Sequence, residues 1–94
     1  MNLSDLHEHK AVSAKSISQS ISSEAISIQI LSNEILKEHI SKVPALLICV
    51  LGEVEYEDEK GSRISLYPGD LKEIEPMVKH RVKANMDSHL VLIK

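Results

Sequence analysis

"YPGDLKEIEPMVKH", residues 67–80, is the stretch on which the fold turns. Pro68-Gly69-Asp70 is a turn signal, and Leu71-Lys72-Glu73-Ile74 alternates apolar with charged residues, as a half-buried strand does. Glu75-Pro76-Met77-Val78-Lys79 is a second turn, and His80-Arg81-Val82-Lys83-Ala84 alternates again. Two turns around a four-residue strand leave no room for a helix. The segment predicts a hairpin that delivers His80 at the start of its second strand.

The same punctuation continues in both directions. On the N-terminal side, Ala45 to Gly52 (ALLICVLG) is an unbroken apolar run between Pro44 and Gly52. A helix there would be two uncapped turns, so the run predicts a strand buried on both faces. VEYED, the polar EKG and SRISLY predict a hairpin. Ile35 to His39 predicts a short strand, and Ile26, Ile28 and Ile30 alternate with Ser27 and Gln29 in another. Ile17 and Ile21 suggest an earlier strand, with a turn at Ser22-Ser23-Glu24. On the C-terminal side HLVLI follows a turn at Met86-Asp87-Ser88. About nine short strands, with turns every eight to twelve residues, predict an all-β sandwich or barrel.

The chain has 94 residues, which suits one small domain. Residues 1–13 read as an N-terminal tail and residues 14–94 as a single β domain. Ile, Leu and Val carry the apolar fraction, there is no Phe or Trp, and the two tyrosines are Tyr56 and Tyr67. Without aromatic platforms, and with a net charge of −3, the chain lacks the footprint of a nucleic-acid binder. The opening MNLSDLHEHK has no apolar core of a signal peptide, and no run is long enough to span a bilayer. The single cysteine, Cys49, fits a reducing interior, so the expected compartment is the cytoplasm.

Asn33 to Ala84 resembles the paired motifs of the cupin superfamily, whose fold is a double-sheet jelly-roll barrel, also called a double-stranded β-helix. The first family motif, G-x5-H-x-H-x3or4-E-x6-G, falls on Asn33, His39, Ser41, Ala45 and Gly52. His39 and Gly52 match, while Asn33 replaces the opening glycine with the next residue most tolerant of positive φ. The second, G-x5-P-x-G-x2-H-x3-N, falls on Gly69, Glu75, Met77, His80 and Ala84, of which Gly69 and His80 match. Pro76 stands one place from the family proline. The resemblance implies a barrel lumen in which three histidines and a glutamate hold a divalent metal such as Zn, Ni, Fe or Mn.

This chain has Ser41 and Ala45 where the family has a histidine and the glutamate, so half of that ligand cage is missing. The resemblance therefore implies a protein that binds a small ligand, or a weakly held divalent metal, through His39 and His80, with Ser41 beside them. The alternatives are a metal-dependent enzyme of the dioxygenase or isomerase type and a non-catalytic scaffold barrel. Three protein ligands are the usual minimum for a catalytic zinc. Glu38, Glu73 or His89 would have to complete the set.

Other features read as structure. His7-Glu8-His9 suggests a solvated tail. Cys49 shares parity with Ala45 and Leu47 and predicts a buried small hydrophobe. Glu53, Glu55 and Glu57 share one strand face and predict a solvated acidic ribbon. The isoleucine-rich N-terminal strands would leave a sheet edge, which predicts a homodimer.

Overall fold

The computed structural model describes residues 6–18 and 24–94, with side chains for residues 6–16 and 24–94. Among them are nine strands and no helix: β1 (Val12–Ser18), β2 (Ala25–Ile30), β3 (Ile35–His39), β4 (Ala45–Leu51), β5 (Val54–Asp58), β6 (Arg63–Leu66), β7 (Leu71–Ile74), β8 (His80–Ala84) and β9 (Ser88–Ile93). Residues 1–5, Ile21 and the turn expected at Ser22-Ser23 lie outside the described residues. β1 begins at Val12, two residues inside the stretch expected as tail.

The strands form two antiparallel sheets, ordered β1-β2-β9-β4-β7 and β3-β8-β5-β6. Their inner faces meet in an aliphatic core. One sheet supplies Ile28, Ile30, Ala45, Leu47, Cys49, Ile74, Leu90 and Leu92, the other Val54, Tyr56, Leu66, Val82 and Ala84. β2, β4, β5, β8 and β9 contribute alternate residues, as the pleat requires, while β1 and β3 offer only the partly buried Val12 and Leu36. Tyr56 is the largest fully buried side chain, and the other tyrosine, Tyr67, is exposed. Cys49 packs beside Leu47 as a small hydrophobe, with its thiol pKa pushed up by burial.

β4 departs from expectation. Ala45, Leu47 and Cys49 are buried, but Leu46 and Ile48 are half-buried and Val50 and Leu51 are exposed. The run is apolar on both faces, yet nothing among the described residues covers its outer one.

The turns follow their residues. Asn33 takes φ 67° and bridges to the second strand of the later hairpin, its amide donating to the Ala84 carbonyl at 2.8 Å. Gly52 has φ 90°, and a Cβ there would lie 2.3 Å from Ser88 Oγ. Met77, at the position of a family glycine, keeps a left-handed backbone with φ 65°. Its amide donates to the Ser41 carbonyl at 2.7 Å, tying the β7–β8 turn to the β3–β4 turn at one end of the barrel.

Two expectations about the surface need correcting. His7 is not a solvated tail residue. Its Nδ1 lies 2.8 Å from Ser13 Oγ and its Nε2 2.8 Å from Ser27 Oγ. Gln29 fastens the same segment by donating to the carbonyls of Glu8 and Lys10. The acidic ribbon is not simply solvated either. Arg63 Nε meets Glu55 at 2.5 Å, Arg81 meets Glu57 at 2.6 Å, and Asn85 donates to Glu53 at 2.8 Å. Sequence parity put the acids on one face, but the cations arrive from β6 and β8, whose register the sequence did not display.

Candidate ligand site at the paired histidines

β3 and β8 pair so that Leu36 faces Val82 and His39 faces His80. Three residues on β3 thus match two on β8, and the irregularity between Leu36 and His39 absorbs the extra residue. Without it, strict alternation would put Glu38, not His39, on the side of Leu36. The bulge brings the two histidines together.

Their Nε2 atoms stand 2.9 Å apart, with ring centroids at 4.1 Å and 64° between the planes. The Nδ1 atoms face backbone carbonyls, His80 to Val78 at 3.2 Å and His39 to Lys37 at 3.1 Å. A carbonyl only accepts, so both Nδ1 atoms carry hydrogen. Each neutral ring then has a bare lone pair at Nε2, and two lone pairs at 2.9 Å repel. The contact becomes a hydrogen bond only when one ring holds a second proton, giving the pair one positive charge. The oblique approach makes it weaker than a linear bond.

The two rings have different surroundings. His80 is 3% exposed and stacks on Tyr56, with centroids 5.8 Å apart and 25° between the planes. Burial lowers its pKa, and the neighbouring His39 adds to this, against the opposing pull of the Val78 carbonyl and Asp58. Tyr56 is itself fixed by donating its hydroxyl to Asp58 Oδ2 at 3.0 Å; burial first, and then Asp58, push the phenol pKa far up. His39 is only half-buried.

The other named positions are scattered. Ser41 is buried, but its hydroxyl donates to the Val43 carbonyl at 2.7 Å and closes its own turn. Ala45 lies in the core. Glu73 sits opposite Leu46 and is exposed, on the outer face of the larger sheet. His89 lies on the same outer face, its ring centroid 6.1 Å from that of His7. Glu38 is the nearest of the three, lining small clefts with His80 and with His39. Among the described residues no three His, Cys, Asp or Glu side chains converge to hold a metal ion. Tyr56, the platform under His80, went unnoticed at the sequence level; its parity in VEYED, opposite to that of the glutamates, was the available signal.

Three spaces approach the pair, one of them a cleft of about 360 Å³ beside His39 lined by Glu38, Ile40 and Lys79. Beside His80 is a cleft of about 190 Å³ lined by Glu38, Glu57, Asp58, Glu59, Lys79 and Arg81. Beside His39 a larger cleft of about 630 Å³ opens between β1, β2 and β3, lined mainly by aliphatic side chains.

No family model and no curated protein matches this sequence. Solved structures match it over most or all of its length. A cupin superfamily protein from Desulfitobacterium hafniense aligns over 100% of this chain and 87% of its own, at 18% identity and a TM-score of 0.85. An RmlC-like cupin from Desulfovibrio desulfuricans covers 94% and 89%, at 15% identity and a TM-score of 0.79. KdgF from Halomonas sp. covers 93% and 80%, at 19% identity and a TM-score of 0.76. Two packed antiparallel sheets, a histidine pair at the motif positions and these neighbours together establish that the chain has the double-stranded β-helix fold of the small cupins.

Proposed function

We propose that the barrel binds a small ligand whose polar group is anchored by the His39–His80 pair. The observation that carries this is the 2.9 Å contact of two Nε2 atoms whose Nδ1 groups are already committed to carbonyls. Both rings are held in orientation by their backbone partners, and their unspent hydrogen-bonding capacity converges on one point. The oblique contact is easily replaced by a better-aligned ligand group, a donor to the bare lone pairs or an acceptor once one Nε2 holds a proton. An anionic oxygen suits the pair, because a proton on either Nε2 makes that nitrogen a charged donor toward it.

A weakly held divalent metal is the second reading, favoured by the same lone pairs. Ring nitrogens with carbonyl-bound Nδ1–H groups are the usual form of histidine ligands. The donor set, however, is one ligand short of the catalytic minimum, since Ser41 is spent in its turn and Ala45 has no donor. The residues fit a metal poorly.

Side-chain 15N spectra titrated with acetate, and separately with Zn²⁺, test both readings. Acetate is expected to shift the Nε2 resonances of His39 and His80, and His39→Gln to remove the effect. Zn²⁺ is expected to bind weakly, with half-saturation in the micromolar range or above. No response to either would leave the scaffold role, in which the core-filled barrel serves association alone.

We also propose that two copies associate. Leu46, Ile48, Val91 and Ile93 are half-buried on the outer face of the larger sheet, and Leu71 beside them is 57% exposed. They form adjoining rows across β7, β4 and β9, a patch that can pair with its own copy about a two-fold axis.

A further inference from the structure

We propose, building on the anchoring role of the His39–His80 pair, that the ligand is an amphiphilic carboxylate: an aliphatic acid whose chain lies in the cleft between β1, β2 and β3. In a closed sandwich the inner face of each strand would be covered by the opposite sheet. β1 escapes this. Its residues Val12 and Ala14 face Ile30 and Ile28 across the β1–β2 register, on the inward side, yet Ala14 is exposed and Val12 only half-buried. Ile26 is half-buried too. With Leu36 of β3 and Leu92 of β9, they line the space of about 630 Å³, within the range of small-molecule pockets. An apolar surface of this kind gains most by taking up hydrocarbon.

The polar lining selects the head group. His39 lines this cleft, with Lys37 two residues before it and Lys94 close by; Glu34, five residues from His39, is the one acid. Lys37 takes part in none of the ion pairs among the described residues. An anion entering along the hydrocarbon wall therefore meets an ammonium and an imidazole. The opposite approach, beside His80, is unsuited to an acid. It is small, and its four acids, Glu38, Glu57, Asp58 and Glu59, outnumber its two cations, Lys79 and Arg81; Glu57 is held by Arg81, Asp58 by Tyr56 and Glu59 by the Lys79 amide. The cleft thus reads as an apolar slot whose polar lining is three basic groups and one acid.

Calorimetric titration of the intact chain with octanoate, acetate and 1-octanol tests this, followed by side-chain 15N spectra. Octanoate is expected to bind at least tenfold more tightly than either acetate or octanol, because only it satisfies wall and head group together. Ala14→Trp, which fills the cleft from an exposed position, should remove the octanoate advantage and leave the acetate response of the imidazoles intact. Lys37→Glu, on a solvated side chain, should weaken octanoate at least threefold and guards against misfolding of the first variant. Octanoate no tighter than acetate, or tighter but indifferent to both substitutions, overturns the proposal while leaving the histidine anchor standing. Absence of any imidazole response to acetate or octanoate overturns both.

Discussion

His39 and His80 face each other across β3 and β8, although His39 lies three positions from Leu36 and His80 only two from Val82. The irregularity that reconciles the two counts turns His39 inward. The pair is therefore asymmetric in its setting, one ring buried on Tyr56 and the other at a cleft mouth. His80→Ala removes buried packing and the hydrogen bond to the Val78 carbonyl, and is expected to cost about 2–3 kcal/mol of stability. His39→Ala, at a half-buried position, should cost under about 1 kcal/mol. Urea unfolding of the two variants measures the difference, and equal costs would contradict the asymmetry.

Stability should fall on the acid side. His7 and His80 both have pKa values lowered from 6.5, in each case chiefly by burial. The unfolded chain then binds protons that the folded chain refuses, so stability is full above about pH 6.5 and declines as pH drops below it. Thermal midpoints between pH 8 and pH 5 should show that decline, and His80→Gln and His7→Gln should each flatten it. A flat wild-type profile would refute the assignment.

Met77 holds φ 65° and the residue is 63% exposed, so its left-handed backbone is set by the turn and not by packing. Met77→Gly relieves that conformation, and is expected to raise stability by about 1 kcal/mol, less the entropy glycine loses on folding. A higher urea midpoint at unchanged slope is the sign to look for.

Gly52 is the opposite case. A Cβ there would meet Ser88 Oγ, the Asp87 carbonyl at 2.5 Å and the Ser88 Cα at 2.7 Å, on top of φ 90°. Two of these neighbours are backbone atoms that cannot swing aside. Gly52→Ala is expected to cost about 3 kcal/mol or more. A variant as stable as wild type would contradict the close approach of Gly52 to Ser88.

The aliphatic patch of β4, β7 and β9 gives a mass prediction. Light scattering should report about twice the 10.5 kDa chain, and Leu71→Glu, exposed and outside the core, should shift it toward one copy. A wild-type particle of single mass rejects association through this face.

Much of the fold was legible locally. Short alternating segments, Pro and Gly turns and β-branched residues specify strands through interactions between near neighbours. β3, β5, β7 and β8 accordingly begin and end at the residues expected. The spacing of Asn33, His39, Gly52, Gly69 and His80 carried the barrel, because turn backbones constrain their own residues. Cys49 shares the core with Ala45 and Leu47 for the same reason: alternation is a property of one strand.

What the chain order left open depended on contacts between strands. The bulge that joins His39 to His80, the platform that Tyr56 makes under one of them, the loss of the Ser41 hydroxyl to its own turn and the uncovered outer face of β4 all arise from register and from which surfaces meet. Hydrophobic period tells a strand which side is inward, but only the pairing of sheets decides whether another layer is there to cover it.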